Sequence, residues 1–374
     1  MAKPQSGPLR VHVLFEYAGD HRREPHGCGF IRLLRPLSHP SVSDRIRLTS
    51  GLDLPDEGEF DVVIIERLWD NVARSDRFSD LLRRMRRRGI PYIYEIDDDL
   101  INVNARAGDR LWPNLDQRLS VRRLARQADG VIVSTASLKR EFLAYNPHVE
   151  VVPNYLDERL FTPGKRPVRE DDGTVVFGYM GTYTHLEDLM GIIAPLRRVL
   201  HRERHRVRFE LVGVGHREEL EALMPGLPVT LRDVPVASVP YIPFVQWMID
   251  NLAWDFAIAP LHDSRFARSK SDIKFLDYSA LGIPGIYADV EAYRHTVEHG
   301  VTGLVVPETS AAWEAALHGM IDDRARRLGM AEAAEAKVRS ERMLDTQARR
   351  WLDAITRIVD AHAARGARAD AQPA

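Results

Sequence analysis

The sequence is poor in cysteine, in lysine and in long apolar runs. Its 374 residues include a single cysteine, Cys28, which excludes an internal disulfide framework and a cysteine-rich zinc site. No apolar run approaches the roughly 20 residues that span a bilayer, and the N-terminus lacks the apolar segment of a signal peptide. The net charge of −2 offers no global positive field for nucleic acid. Together these features predict a cytoplasmic protein that does not bind nucleic acid.

The length of the chain exceeds the usual size of one hydrophobic core, so two domains are expected. Short β-branched runs alternate with helical patterns, which indicates an α/β fold of two successive doubly wound, Rossmann-like units. A stretch rich in Pro, Gly and charge at 161–173 predicts a linker between a domain at 1–160 and a second at 174–340, followed by a helical region at 341–374. Strands are predicted at 11–17, 44–50, 61–67, 91–97, 130–135, 150–154, 174–181, 208–215 and 255–261.

Only six of the 52 basic residues are lysines, and two of them, Lys270 and Lys274, lie in the stretch SKSDIKFLDY. Ser271 is predicted to cap a helix with Asp272 in its first turn, so that Lys270, Lys274 and Asp277 share one face. Two ammonium groups beside a helix N-terminus suit a diphosphate, and a carboxylate one turn later suits a ribose diol. The alternative is a surface helix with a charge cluster.

Glycine turns follow two strands of the second half. A strand ends at Gly181 and a helix follows, which places backbone amides where a phosphate could bind, bordered by Thr182 and His185. Gly213 and Gly215 would allow a ligand to approach the backbone closely. The alternative is that all of these are ordinary turn residues.

Two stretches of the first half carry candidate polar groups. Asp97–Asp99 end a strand, and such a cluster indicates a divalent metal site, an acceptor-side base or hydroxyl-binding group, or a solvated strand end that caps a turn. Gly27 and Gly29 are predicted to form a flexible loop that leads into a helix with Arg32. In a two-domain enzyme this loop would face the cleft.

A basic helix includes Arg83–Arg88, with apolar residues on its other side. A helix of this kind binds an anionic lipid surface or an anionic acceptor, or it is a solvated face. Peripheral contact with the inner face of a membrane is therefore an open alternative.

Taken together, these stretches resemble the retaining nucleotide-sugar glycosyltransferases with the GT-B fold, the large family numbered four. The resemblance implies two Rossmann-like domains that face a cleft, with the donor bound by the second domain. It also implies that the C-terminal helix around Trp351 crosses back to the N-terminal domain. The matching blocks are GCGFIRLLRPL, YEIDDDL, ADGVIVSTASLKREF, VEVVPNYLD, GYMGTYTHLEDL, FELVGVG, DFAIAPL, KSDIKFLDYSALGIPGIYADV and VEHGVTGLVVP.

The resemblance also implies roles for single residues. Gly181 and Thr182 would approach the diphosphate, Lys274 with Lys270 would neutralise it, and Asp277 takes the place of the family's ribose-binding Glu. The sequence departs from the family at three further positions. Ser269 occupies the position of a second Glu in the family, and Thr182 occupies the position of the Arg that follows the glycine. The position of the family's first-domain histidine falls within Asp97–Asp98.

The implied activity is transfer of a sugar with retention, by front-face attack and without a metal or other cofactor. Lys274 and the amides near Ser271 would stabilise the leaving diphosphate. Lys274 and Asp98 are the predicted catalytic residues, and Gly27, Gly29, Arg32, Asp97 and Asp98 form the predicted acceptor side. A glycan, a lipid-linked sugar and a small molecule are equally open as acceptors.

Two other functions remain open on the residues. One is an inactive GT-B-fold partner protein, which is favoured by the departures at Ser269, Thr182 and the missing histidine. The presence of Lys274, Asp277 and Gly181 argues against it. A sugar-nucleotide epimerase would need a pair of catalytic acids, and the sequence shows no clear pair. The donor base, the sugar and the oligomeric state are left open.

Overall fold

The chain folds into two compact units. The computed structural model describes residues 7–17, 24–70, 76–103, 105–107, 110–162, 172–182 and 185–371. Unit 1 contains the described chain up to Asp157, then Ser269–Ser271, then the chain from Met343 onward; unit 2 contains Glu158–Arg268 and Asp272–Arg342. The first unit therefore ends three residues before the predicted boundary at 160. Most of the predicted linker, residues 163–171, lies outside the described residues.

Unit 1 is built on a sheet of six parallel strands in the order β2-β1-β3-β4-β7-β8. Its strands are β1 (Leu9–Leu14), β2 (Ile46–Gly51), β3 (Val62–Glu66), β4 (Tyr92–Ile96), an antiparallel pair β5 (Ala105–Ala107) and β6 (Arg110–Trp112) outside the main sheet, β7 (Gly130–Val133) and β8 (Val149–Val151). Strands such as β3 are buried along their whole length, as expected for a parallel sheet covered on both faces. The strand order reverses between β1 and β3, where such sheets usually bind ligands.

Unit 2 has the same architecture, with six parallel strands in the order β11-β10-β9-β12-β13-β14. The strands are β9 (Val175–Met180), β10 (Val207–Val212), β11 (Val229–Arg232), β12 (Phe256–Ala259), β13 (Gly285–Ala288) and β14 (Leu304–Val306). The reversal of strand order lies between β9 and β12. The predicted α/β class with two Rossmann-like units is confirmed.

Helices connect the strands in both units. They are α1 (Gly27–Gly29), α2 (Arg35–Leu37), α3 (Asp76–Arg87), α4 (Leu115–Gln127), α5 (Ala136–Phe142), α6 (Leu186–Met190), α7 (Ile193–Arg202), α8 (Arg217–Leu223), α9 (Tyr241–Asn251), α10 (Arg265–Ser269), α11 (Ile273–Ala280), α12 (Glu291–Arg294), α13 (Ser310–Asp322), α14 (Arg324–Glu341), α15 (Leu344–Gln347) and α16 (Arg349–Ala371). A π-helical turn, Phe30–Leu34, joins α1 to α2. Within the described ranges, no helix has both the length and the apolar character that crossing a bilayer requires.

The C-terminal helix α16 is part of the core of unit 1. Trp351, Ile355 and Ile358 are buried in one cluster with strand residues that include Val13 and Ile64. The burial of these large side chains stabilises the unit by the hydrophobic effect. The last segment of the chain is thus structurally part of the first unit.

The prediction of a flexible loop at Gly27 and Gly29 is wrong, because both residues are helical in α1. A Cβ on Gly29 would lie 2.8 Å from a carboxylate oxygen of Glu66 and 2.8 Å from Cβ of Pro25. Glycine therefore serves here to bring the start of a helix close to the end of β3, and not to provide flexibility.

Candidate functional site

The glycine turns of unit 2 lie side by side at the carboxyl edge of its sheet. β9 and β10 are adjacent and parallel, and the Gly181 amide donates to the Val212 carbonyl at 3.0 Å. Gly213 has a φ of +71°, and a Cβ at this position would lie 2.3 Å from the Gly181 carbonyl oxygen. Only glycine fits such a close approach. Gly181 and Gly213, which the sequence suggested separately, are thus in direct contact, and Gly215 follows on the same turn with a φ of +65°.

His185 closes the turn that begins at Gly181. Its amide donates to the Thr182 carbonyl at 2.9 Å. Its Nδ1 lies 2.8 Å from a carboxylate oxygen of Asp188, in the first turn of α6. The imidazole is therefore held by Asp188 next to the predicted phosphate-binding turn.

Helix α11 packs against the end of β9, beside the same turns. The Tyr278 hydroxyl accepts from the Met180 amide at 3.2 Å and donates to the Ile258 carbonyl at 3.4 Å, so it ties α11 to both β9 and β12. The Lys274 ammonium lies 5.7 Å from the centre of the Tyr179 ring, a cation–π contact. Lys274 is therefore held near the end of β9, against Tyr179, which comes one residue before Met180 and two before Gly181.

Asp277 lies one turn after Lys274 on α11 and is half-buried. Burial raises the pKa of Asp277 to about 7, although the nearby Lys274 ammonium acts to lower it. Near neutral pH the carboxyl group is therefore present in both forms. The protonated form can donate a hydrogen bond and the ionised form can only accept.

The predicted start of this helix is wrong by one residue, and the predicted three-residue stripe is wrong because Lys270 lies outside the helix. α11 begins at Ile273, and Asp272 occupies the N-cap position without a side-chain cap hydrogen bond. The Ser271 hydroxyl instead accepts from the Asn154 amide at 2.8 Å, and the Lys270 ammonium lies 3.8 Å from Asp98. Lys270 and Ser271 are held by these contacts in unit 1, so only Lys274 and Asp277 share the face of α11.

The three carboxylates after β4 have three different environments. Burial acts to raise the pKa of Asp97. The Arg67 guanidinium 3.3 Å away, together with smaller contributions from Cys28 and Arg32, outweighs this effect, and the net pKa is lowered. Asp98 pairs with Lys270. Asp99 is buried and accepts from the Asn102 amide at 3.1 Å and from the Asn102 side chain at 2.8 Å, so it caps a turn.

Arg67 and Glu16 were missed by the sequence reasoning, although they lie where the strand order of unit 1 reverses. Glu16 follows β1 and Arg67 follows β3, and the two side chains form an ion pair at 3.2 Å. Arg67 also donates to the Cys28 sulfur at 3.0 Å, and its φ of +32° is rare for a residue with a side chain. Strained backbone of this kind is frequent at functional sites. The one signal in the sequence is that charged residues follow each apolar run, Glu16 after the first and Glu66 with Arg67 after the second.

Arg32 is buried in unit 1. Its guanidinium donates to Glu95 at 2.8 Å, to the Val152 carbonyl at 2.6 Å and to the Asn154 side-chain oxygen at 3.0 Å. Burial raises the pKa of Glu95 to about 7 against the opposing effect of Arg32. The Asn154 side chain also donates to the Ser271 hydroxyl. Arg32 therefore holds in place a residue that in turn contacts Ser271.

None of the curated protein sequences matches this chain at a significant level. A family model does match, that of the glycosyl transferases group 1, over residues 174–323. The resemblance to glycosyltransferases is confirmed over this range, and retention stays a prediction. The matched range contains the six strands of the unit 2 sheet, the two glycine turns and helix α11.

Several solved structures are similar to this chain at low identity. S. aureus TarM is 9% identical with a TM-score of 0.56; the match covers 78% of this chain but only 54% of TarM, about half of its length. Anabaena HepE in complex with UDP-glucose is 14% identical over 93% of this chain and 99% of HepE, with a TM-score of 0.63. A glycosyltransferase from Rickettsia africae is 12% identical over 95% of this chain and 99% of its own, with a TM-score of 0.60. These similarities confirm the predicted GT-B fold.

Proposed function

We propose that this protein is a glycosyltransferase that moves a sugar from a nucleoside-diphosphate sugar to an acceptor hydroxyl, with retention and without a metal. The observation that carries the proposal is the position of Lys274. It lies on α11 at the end of β9, beside the Gly181 and Gly213 turns, within the range that matches the group 1 glycosyl transferases. A cation beside exposed turns is the arrangement that a leaving diphosphate requires.

The donor roles follow from the chemistry of unit 2. The Gly181–Thr182 and Gly213–Gly215 turns let the diphosphate approach the backbone, and Lys274 compensates the charge that develops as the bond from the sugar to the diphosphate breaks. Asp277 binds ribose hydroxyls. His185 borders the turn, where its pairing with Asp188 fixes its orientation. Because HepE binds UDP-glucose in its solved complex, a UDP-sugar is the first donor to test.

The acceptor roles fall to unit 1. Asp97 is kept ionised by Arg67, and Asp98 lies beside Lys270, so both can accept a hydrogen bond from an acceptor hydroxyl. We assign Asp98 the position nearest the reacting hydroxyl. The helix start at Gly27–Gly29 and the buried Arg32 then act as support for this surface. The donor role predicted for Lys270 and Ser271 stays a prediction, since their described contacts are with unit 1.

Calorimetry with UDP, GDP, ADP and TDP tests the donor site. We expect one nucleotide to bind, and Lys274→Ala to weaken it by about 1–3 kcal/mol, the usual loss for a charged hydrogen-bond partner. Lys337→Ala, which removes a lysine paired with Glu298 at 2.8 Å elsewhere in unit 2, should leave the affinity unchanged. Binding that is absent in the millimolar range, or equal in the two variants, would refute the proposed site.

Turnover measurements separate the proposal from its alternatives. A transferase consumes the donor only with an acceptor present, and an epimerase converts the donor alone. An inactive partner protein, which Ser269 and Thr182 favour, binds the nucleotide without turnover. Undiminished transfer after treatment with EDTA would support the absence of a metal requirement.

Contact with a membrane through the basic helix α3 is a separate part of the proposal. Arg84 donates to the Leu54 carbonyl and to Asp56, both at 2.7 Å, and Arg88 donates to the Pro55 carbonyl at 3.1 Å. Arg77, Arg83, Arg86 and Arg87 are exposed, and the first two pair with Asp53 and Asp80. Sedimentation with anionic vesicles, for the wild type and for Arg86→Glu with Arg87→Glu, tests this contact.

A further inference from the structure

Asp272 occupies the N-cap position of α11, but its carboxylate does not cap the helix. Its φ of −82° and ψ of 23° are not the extended values of an N-cap residue, and no side-chain cap hydrogen bond forms. The carboxylate is buried and accepts two hydrogen bonds from Arg342, at 2.7 and 2.8 Å, and a third from the Thr296 hydroxyl at 2.8 Å. All three bonds direct it away from the helix amides.

This arrangement matters for an anionic ligand. An aspartate is among the best N-cap residues because its carboxylate bonds to the first amides of the helix. The same carboxylate would compete with a phosphate for those amides and would repel its charge. A bidentate arginine both orients the carboxylate and neutralises it.

Helix α14, which carries Arg342 at its C-terminal end, contacts both ends of α11. Arg339, three residues before Arg342, is 3.4 Å from the carbonyl of Ala280, the last residue of α11, and it is itself held by Glu335 at 2.7 Å. α14 begins at Arg324, where the match to the family model has ended. The orientation of Lys274 and Asp277 therefore depends on a helix outside the matched range.

We propose that Arg342 is a positioning residue for the diphosphate of the donor. It holds the Asp272 carboxylate away from the N-terminal end of α11 and cancels its charge, so that phosphate oxygens can bind beside Lys274. This inference rests on the proposed function. It adds to it a residue that acts through Asp272 and not through contact with the donor.

Four proteins test the inference by calorimetry: the wild type, Arg342→Met, Asp272→Asn and the double variant. The ligands are UDP, or whichever diphosphate the wild type binds, and the matching nucleoside without phosphates. We expect Arg342→Met to weaken binding of the diphosphate by about tenfold or more and binding of the nucleoside by less than about threefold. Only the diphosphate is repelled by the Asp272 carboxylate that the arginine no longer neutralises. The double variant should bind the diphosphate within about threefold of the wild type.

A purely structural role would give a different pattern. Arg342→Met would then weaken the diphosphate and the nucleoside equally, or the double variant would bind as weakly as the single one, and either result overturns the inference. Arg206→Met is the matched control, because it removes an exposed arginine that pairs with Glu203 at 2.6 Å at the start of β10. Thermal unfolding checks each variant. If Arg342→Met does not fold, the double variant alone decides, since it should fold and bind.

The wild-type measurement keeps the two proposals apart. If the wild type binds no nucleoside diphosphate, the proposed function fails and this inference fails with it. If the wild type binds and Arg342→Met binds equally well, the donor site stands and only the role of Arg342 is refuted.

Discussion

The two units place different chemistry at the carboxyl edges of sheets that have the same topology. In unit 2 the residues after β9 and β10 are Gly181 and Gly213, so the edge consists of close-packed backbone with one lysine beside it. In unit 1 Glu16 comes two residues after β1 and Arg67 directly after β3, and their ion pair places charged side chains at this edge. Backbone edges suit phosphates and carboxylate edges suit hydroxyls. The residues that follow each strand, and not the sheet, determine which ligand is suited.

The charged edge of unit 1 extends into its interior. Glu66 and Glu95 are register partners on β3 and β4, and both are fully buried. Burial raises the pKa of Glu66, and that of Glu95 to about 7. Unit 2 has its own carboxyl group with a pKa of about 7, Asp277, but this one is on a helix and half-buried. The comparison predicts that unit 1 depends on charge pairing for its stability and unit 2 on close backbone contact.

The largest effect is expected from breaking the charge pairing of unit 1. Arg32→Met leaves Glu95 and the Asn154 oxygen without their partner and should lower the free energy of unfolding by about 3–5 kcal/mol, measured with urea. Adding Glu95→Gln should restore much of this loss. Arg84→Met, which breaks a pair with the exposed Asp56, should cost about 1 kcal/mol or less. Equal losses for the two single variants would contradict the assigned dependence on buried charge.

A smaller effect is expected from a methyl group in the backbone edge of unit 2. Gly213→Ala combines a positive φ with a clash at 2.3 Å and should cost about 2–3 kcal/mol in stability as well as donor affinity. Gly226→Ala is the matched control, since its φ is +68° but nothing lies within 4 Å of the added Cβ. It should cost about 1 kcal/mol and leave donor binding intact. If both variants bind the donor equally well, the close approach at Gly213 has no part in the site.

The most gradual effect is a dependence on pH that Asp277 and Glu95 share. A carboxyl group whose pKa is raised to about 7 in the folded state stabilises the fold fully below its unfolded pKa of about 4, and this contribution is lost as the pH rises through 7. For each group the slope is at most about 1.4 kcal/mol per pH unit. Asp277→Asn and Glu95→Gln should each flatten the fall in stability between pH 4 and 7.

Donor binding distinguishes the two carboxyl groups. Asp277→Asn should also change the pH profile of nucleotide affinity, because Asp277 is assigned to the donor site, whereas Glu95→Gln should leave that profile unaltered. A profile that responds to both variants, or to neither, would contradict the assignment of Asp277.

The strands were predictable because parallel strands that are buried on both faces appear in the sequence as short apolar runs. The predicted segments at 61–67 and 91–97, for example, contain β3 and β4 with one residue to spare at each end. The pair β5–β6 was not predicted, since its strands have three residues each and stand outside the main sheets. Gly181, Gly213 and Lys274 were recognisable as candidates because glycine after a strand and lysine in an arginine-rich chain are local signals.

The start of α11 was not predictable, because its determinants are distant in the sequence. Ser271 was a reasonable cap by its position, but its hydroxyl is bound by Asn154, 117 residues earlier. Asp272 is bound by Arg342, 70 residues later. The positive φ of Arg67 likewise has no signature in the sequence, and the partners of its side chain, Glu16 and Asp97, are distant in the chain.

By itself the sequence determined the fold class, the strands and the kind of residue that ends each strand, because burial and turn formation depend on local composition. Tertiary structure decided which of those residues meet. It brought Gly181 into contact with Gly213, placed Lys274 at the end of β9, and paired Lys270 with Asp98. The physical reason is that hydrogen bonds and ion pairs require contact within a few ångströms, and only the packed chain determines which distant residues reach that distance.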